Sequence, residues 1–146
     1  MRISAKARYA LACAVTLARK FDTGDFVTAV SLADDLQISK IYLEQVFALL
    51  KRAGVVVSSK GAGGGYRLSD RPAALTALDV LSATDALLTE SAEETVARTA
   101  PGIETVMRGM VFDAMDRAIA EALGGVTLQA LAETAAGLDG EYMYYL

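Results

Sequence analysis

The sequence predicts a mainly α-helical fold that contains one small β-hairpin and a long helix near the C-terminus. Three observations support this prediction. Apolar residues recur at 3.6-residue spacing within residues 5–52, which is typical of packed helices. A β-branched run, Val55–Val57, is followed by a glycine-rich stretch and a second short segment, an order typical of a hairpin. The apolar-rich residues 101–123 are long enough for a helix of about 33 Å.

Composition narrows the class of protein. The chain has 146 residues and a mass of 15.4 kDa, which fits one domain or a small domain with an extension. With 53% hydrophobic and 22% charged residues, disorder is excluded, and the apolar runs are too short to span a membrane. One cysteine and no histidine exclude an internal disulfide framework, zinc sites and histidine-dependent catalytic dyads or triads. We therefore expect a soluble, cytoplasmic protein that is not an enzyme.

Charge is divided unevenly along the chain. Residues 1–72 carry 11 basic and 6 acidic groups, a net charge of +5, whereas residues 73–146 carry 3 basic and 12 acidic groups, a net charge of −9. This division favours a polyanion-binding module joined to a part that faces elsewhere. On charge alone, an uneven distribution of ordinary surface charges is an equally good explanation.

The first three helices are predicted from caps and apolar stripes. A helix beginning after Ser4 is apolar on two faces, so something besides its own domain is expected to cover it, and Cys13 is expected to be a small buried hydrophobe. A capping box of Ser31 and Asp34 predicts a short second helix, and Ser39 is the predicted cap of the third.

The third helix has separate core and solvent faces. Its predicted core stripe consists of Leu43, Val46, Phe47 and Leu50. The opposite face carries Ile41, Gln45, Ala48 and Arg52, and Gly54 ends the helix. Two helices joined by a brief turn and followed by a hairpin predict a winged helix-turn-helix, in which the hairpin is the wing.

The glycine-rich segment 60–65 forms the predicted wing tip. It is not a dinucleotide fingerprint, because position 66 is Tyr66 and a strand follows, and no Gly-Lys-Ser/Thr sequence supports a Walker loop. Glycine permits positive φ angles and close backbone approach. Whether the backbone approaches DNA or the chain itself stays open at this point.

The C-terminal half is predicted to be helical. A second capping box, Thr76 with Asp79, begins a helix, and residues 85–100 form a loop or a short exposed helix. Pro101 suits the first position of the long helix, which Gly124 ends. Its apolar residues cover more than one face, which favours contact with a second subunit over the alternative of a central helix in a monomer.

The last helix is predicted to begin at a cap, Thr127, and to end at Gly137. The aromatic tail of residues 141–146 is expected to dock on the protein rather than extend into solvent.

Four segments resemble one family of regulators. The opening MRISAKARYA, residues 38–47 (ISKIYLEQVF), residues 60–68 (KGAGGGYRL) and residues 78–81 (LDVL) resemble, in order, the start, the recognition helix, the wing and the following helix of the Rrf-two family. This winged-helix family includes iron–sulfur cluster, nitric-oxide-sensing and cysteine-metabolism repressors. The match is dense over residues 1–85, and beyond residue 100 it rests on a long helix followed by a capped one.

The sequence lacks the cysteines with which many members of this family bind a cofactor. Many members carry three cysteines before the long helix and bind an iron–sulfur cluster there. This chain has no cysteine between Ser82 and Arg108, and a cluster needs several thiolates. The resemblance is therefore to a cluster-free branch, without a cofactor.

The resemblance implies both a domain division and a function. Residues 1–85 would form the winged helix-turn-helix DNA-binding domain, and residues 86–146 a loop, the long dimerisation helix and the C-terminal helix. The implied protein is a homodimeric, sequence-specific repressor that binds double-stranded DNA at an inverted repeat and has an unknown effector or partner protein. The alternative is a protein-interaction or ligand-sensing module whose DNA affinity is secondary.

The resemblance also assigns roles to particular residues. Expected base readers at the start of the recognition helix are Lys40, Tyr42, Glu44 and Gln45. Expected phosphate contacts are Arg2, Lys6, Arg8 and the amide of Ser39, with Lys60 reaching the minor groove. The DNA-binding set is completed by Ser4, Gly63 and Gly64, whereas Arg19 and Lys20 are expected to be solvated surface groups.

Overall fold

The computed structural model of the chain describes residues 3–84 and 95–145. Its elements are α1 (Ala5–Arg19), α2 (Ala29–Leu36), α3 (Lys40–Arg52), β1 (Val56–Ser59), β2 (Gly65–Leu68), α4 (Ala77–Ala83), α5 (Thr95–Thr99), α6 (Pro101–Met107), α7 (Asp113–Gly124) and α8 (Leu128–Tyr145). A 3-10 turn, Phe21–Thr23, follows α1, and a π-helical turn, Arg108–Phe112, joins α6 to α7. The predicted mainly α-helical fold with a hairpin and a long C-terminal helix is confirmed.

The core lies where α1 packs against α3, α4 and α8. The predicted core stripe of α3 is fully buried, and so is Cys13 of α1. Burial raises the pKa of the Cys13 thiol to about 12, so this side chain is a neutral packing group at physiological pH. α1 also packs on α8, which is how the C-terminal segment joins the helix-turn-helix.

The hairpin is antiparallel, and a residue of the segment before α2 pairs with it in the manner of a third strand. β1 and β2 pair in a register that places Val56 opposite Leu68 and Ser58 opposite Tyr66. On its other side, Tyr66 exchanges two backbone hydrogen bonds of 2.8 Å with Val27. The wing is thereby attached to the segment that leads into α2.

The beginning of α2 differs from the prediction. Thr28, not Ser31, caps the helix: its hydroxyl accepts a hydrogen bond of 3.1 Å from the amide of Ser31. The predicted capping box of Ser31 and Asp34 is therefore wrong. Because Val27 is held by Tyr66 in an extended pairing, the next residue is in place to cap, and the helix starts at Ala29.

The capping box of α4 is confirmed. The amide of Thr76 donates to Oδ2 of Asp79 at 2.9 Å, and the amide of Asp79 donates to the Thr76 hydroxyl at 3.2 Å. Thr127 caps α8 by accepting from Ala130 at 3.0 Å, also as predicted. A bridge between Thr76 and Thr127 ties the beginnings of α4 and α8 together.

The long helix runs from Pro101 to Gly124 without a break, through α6, the π-helical turn and α7. Both predicted ends are confirmed, whereas the π-helical turn was not predicted. Within this helix, α6 packs chiefly on the adjacent α5 and the π-helical turn, whereas α7 packs on α4. No residue of this helix is buried. Of the segment predicted as loop or short helix, Thr95–Thr99 is helical, and residues 85–94 lie outside the described residues.

The last helix is longer than predicted, since α8 continues through Gly137 to Tyr145. A glycine inside a helix costs only about 1 kcal/mol, and no proline follows to stop it. Beyond the glycine, an ion pair of 2.7 Å between Arg19 and Asp139 fastens α8 to α1. The predicted docking of residues 141–146 lies outside the described side chains. Within residues 3–84 and 95–145, no helix is both long and apolar enough to cross a membrane.

Candidate nucleic-acid interface

The start of α3 presents polar side chains to solvent. Ser39 caps the helix by accepting a hydrogen bond of 3.1 Å from the amide of Tyr42, as predicted. The polar residues Lys40, Glu44 and Gln45 are exposed, while the stripe on the opposite face is buried in the core. This division between faces leaves the first turns of α3 available to a large partner.

Lys40 and Glu44 lie one helical turn apart and face each other. The Lys40 Nζ is 3.9 Å from a carboxylate oxygen of Glu44, and both side chains are exposed. Such a pair contributes little to stability, about 0.3–0.5 kcal/mol at most. Either charge can therefore exchange its partner for a group on a ligand at small cost.

Tyr42 is placed differently from its neighbours. It is half-buried, and its ring meets that of Tyr9 edge-on, with ring centroids 5.6 Å apart and planes at 80°. This contact joins the beginning of α3 to α1 and fixes the orientation of the tyrosine.

The wing tip needs glycine for its own conformation. Gly61 and Gly65 have φ angles of 95° and 143°, which favour glycine. A Cβ on Gly64 would collide with the carbonyl oxygen of Ser59, and one on Gly65 would collide with that of Val27. The close approach made by Gly64 and Gly65 is thus to the chain itself.

Gly63 and Lys60 remain open to solvent at the same tip. A Cβ on Gly63 would meet nothing within 4 Å, and Lys60 is exposed. Lys60 therefore presents its charge at the end of the wing, where the sequence placed it.

Tyr66 connects the wing to α3. Its ring stacks on Phe47 with centroids 4.0 Å apart and planes at 13°. Burial, and secondly the negative charge of Glu44, raise the pKa of Tyr66. Glu44 and Tyr66 line the same groove, so the carboxylate of α3 lies close to the wing.

A groove of about 490 Å³ separates α3 from the wing. Its walls come from the start of α2, from α3 and from both strands of the hairpin, and it is lined by Thr28, Ala29, Val30, Lys40, Glu44, Ser58, Ser59, Lys60, Gly61, Gly64, Gly65 and Tyr66. Four residues predicted to bind DNA meet here, namely Lys40, Glu44, Lys60 and Gly64. Thr28 and Val30 were not predicted, and the Thr-x-x-Ser sequence at 28–31 was the available signal for the true start of α2.

The other predicted residues do not line this groove. Ser4 caps α1 by accepting from the amide of Ala7 at 3.1 Å, Lys6 is half-buried, and Arg8 is exposed on α1. Arg2 lies outside the described residues. Gln45 is exposed on α3 beside the groove rather than in its wall.

Three further basic residues are engaged elsewhere. Arg67 of the wing stacks over Phe26 at 4.7 Å and donates to the carbonyl of Gly24 at 3.2 Å. Arg19 and Lys20, expected to be surface groups, form exposed ion pairs with Asp139 and Asp35. All three side chains thus contact loops or helices of the chain itself.

The donor atoms of the chain do not fit an iron–sulfur cluster. Its one cysteine, Cys13, is buried with a strongly raised pKa, and the sequence has no histidine. In residues 3–84 and 95–145, no three Cys, His, Asp or Glu side chains come together as metal ligands. Thiolates are the usual cluster ligands, so this chain lacks what such a cofactor requires.

A helix-turn-helix whose second helix exposes polar side chains beside a lysine-tipped hairpin defines a winged-helix DNA-binding protein. A model of the Rrf2 family, described as an iron-dependent transcriptional regulator, matches residues 3–134. The chain belongs to the Rrf2 family of transcriptional regulators, and the resemblance noted in the sequence is confirmed.

Individual relatives agree with this assignment. The transcriptional regulator CymR of Bacillus subtilis is 34% identical over the full length of both chains. The solved structure of that CymR, titled the global cysteine regulator, superposes with a TM-score of 0.69 at 32% identity, covering 92% of this chain and 98% of the other. The structure of T. potens IscR has the same TM-score at 27% identity, covering 92% of this chain and 88% of that one. These relatives are regulators rather than enzymes.

Proposed function

We propose that this regulator is a homodimeric repressor that acts in the cytoplasm on an inverted-repeat operator. The observation that carries the proposal is the groove between α3 and the wing, whose polar wall and two lysines suit a DNA backbone and base edges. The surplus of basic residues in the first half of the chain adds a favourable field for a polyanion.

Dimerisation is supported by the long helix. It exposes large apolar side chains that a soluble monomer would normally bury, namely Ile103, Val106, Met110, Val111, Phe112 and Met115. The same chain carries an apolar groove beside α1, lined mainly by Ile3, Leu11, Val15, Leu36, Leu81 and Leu131. In a two-fold dimer, each long helix has such a surface available on its partner.

A dimer of this kind would read DNA symmetrically. Two recognition helices related by a two-fold axis fit half-sites separated by one helical turn or a multiple of it. Gln45 is suited to pair with adenine and Glu44 to accept from cytosine N4. Lys6, Arg8 and the amide of Ser39 are the proposed phosphate contacts, with Lys60 at the minor groove.

The test compares a base reader with a phosphate contact. We expect Gln45→Ala to weaken binding to the selected operator by about 1–3 kcal/mol per half-site and to leave binding to unrelated duplexes nearly unchanged. Lys6→Ala should weaken binding to every duplex and reduce the salt slope by about one unit per lost contact.

The measurement is a salt series on a panel of duplexes, after selecting the preferred site from a random pool. Equal losses for both variants on all sequences would contradict the assigned roles. A selected site without inverted symmetry would contradict the dimeric mode of binding.

A further inference from the structure

A second groove lies away from the DNA-facing surface, between the end of α1 and α8. It has a volume of about 530 Å³, within the 300–1,000 Å³ typical of small-molecule sites. Alanine side chains form its floor, with Ala18 and Ala132 each only 8% exposed, and Phe21 is a half-buried side wall. The third wall is the loop of residues 71–73, which follows the wing.

The walls of this groove are fixed to one another. The backbone amide of Gln129 donates to the carbonyl of Pro72 at 3.1 Å, which holds α8 against the loop. α8 also packs on α1, and an exposed ion pair between Arg19 and Asp139 lies across this contact. A ligand would therefore enter a site whose three sides are already in place, so little ordering is needed on binding.

Charges of both signs line the groove, and two of them lack partners. Within residues 3–84 and 95–145, the side chains of Arg71 and Asp22 make no hydrogen bond or ion pair, although both line this groove and their charges are opposite. Glu133, also in the lining, accepts one hydrogen bond of 2.8 Å from Gln129 and keeps acceptor capacity.

We propose that this groove binds a free amino acid. The guanidinium of Arg71 is suited to a bidentate contact with a carboxylate, and the carboxylates of Asp22 and Glu133 are suited to an ammonium group. The alanine and phenylalanine surface accommodates a small apolar side chain of the amino acid. The lining carries two arginines, of which Arg19 is paired with Asp139, and two carboxylates, so this balance of charge suits a zwitterion better than an anion such as phosphate.

The site is independent of the proposed operator binding, so its test needs no DNA. Calorimetric titration and thermal unfolding of the full-length protein are measured with each of the standard L-amino acids as probe. At least one is expected to bind and to raise the unfolding temperature, with a stabilisation that grows as the logarithm of 1 + [L]/Kd. For that amino acid, the N-acetyl and the carboxamide derivatives should each bind at least tenfold more weakly, since each removes one charge.

Variants locate the site. Arg71→Ala and Asp22→Asn should each reduce the affinity for the amino acid by at least about tenfold, the usual effect of losing a hydrogen bond to a charged group. Arg117→Ala, which removes the same charge from the exposed surface of α7, should leave the affinity unchanged. Circular dichroism verifies that each variant is folded.

Two results would overturn the proposal. One is the absence of binding by every amino acid at 10 mM, a concentration chosen as about the upper end of useful affinities. The other is binding that Arg71→Ala and Asp22→Asn leave intact. Operator binding by the unliganded protein is measured separately, so its failure would bear on the proposed repressor function and not on this site.

Discussion

Among single residues, Gly65 is the one on which the wing depends most. Its φ of 143° and the nearby carbonyl of Val27 leave no room for a side chain. We expect Gly65→Ala to destabilise the fold by about 1–3 kcal/mol or more, because the backbone must shift and the Val27 bridge is lost. Urea unfolding followed by circular dichroism measures this loss.

Gly63 provides the matched control for that change. A Cβ there meets nothing within 4 Å, and its φ lies outside the left-handed region, so Gly63→Ala should change stability by less than about 0.5 kcal/mol. Equal destabilisation by the two variants would show that the tip is not constrained in the way described.

Glu44 is the most informative position for sequence recognition. A carboxylate near phosphates lowers affinity, so its presence makes sense as a filter that accepts cytosine and disfavours other bases. Glu44→Ala should therefore relax specificity and raise affinity for unrelated duplexes. The measurement is the ratio of operator to random-duplex affinity.

Asp116→Ala removes the same charge from the exposed surface of α7 and serves as the control. It should leave that ratio unchanged. A ratio that falls equally in both variants would attribute the effect to net charge rather than to base reading.

The residues of the recognition helix were predictable because helical periodicity separates its two faces. Leu43 and Phe47 point to the core and Glu44 to the groove simply by their spacing. The attachment of Tyr66 to Val27 was not predictable, since the two are distant in sequence and neither belongs to a recognisable pairing pattern. The groove walls from α2 depend on that pairing and were missed with it.

At the scale of elements, local signals specified most helix starts but not every end. The caps of α4 and α8, Thr76 with Asp79 and Thr127, were identified because no neighbouring side chain offered an alternative cap. Thr28 and Ser31 both offered a cap to α2, and a tertiary contact decided between them. Gly137 was predicted to stop α8, but packing on α1 outweighs its propensity.

The long helix is the element on which assembly should depend. Met110, 75% exposed in the π-helical turn, is part of its apolar surface, and π-helical turns often mark functional sites. Met110→Glu should dissociate the proposed dimer, because a buried unpaired carboxylate costs several kcal/mol. Sedimentation velocity of the wild type and the variant is the measurement.

Val30→Glu makes a similar change on α2, where the valine is 54% exposed in the wall of the groove between α3 and the wing. This control should remain dimeric. A wild-type protein that sediments as a monomer would contradict the proposed assembly, whatever the behaviour of the two variants.

At the scale of the whole molecule, the chain has a single cysteine although the model of its family is described as an iron-dependent regulator. We expect anaerobically purified protein to be colourless and free of stoichiometric iron and sulfide, since the only thiol is buried in the core. Metal analysis and a visible absorption spectrum provide the measurement. An absorption band that persists in Cys13→Ala would contradict this expectation and require ligands other than cysteine.

The double attachment of Tyr66, by stacking on Phe47 and by backbone bonds to Val27, joins the wing to α3 and to the segment before α2. A groove of fixed width loses little conformational entropy when it binds a duplex, and it cannot widen for a duplex that fits it poorly. We therefore expect this protein to sense the width and stiffness of the DNA as well as its bases. Base pairs that it never touches, in the stretch between the two half-sites, will then influence affinity through the energy needed to bend them into place.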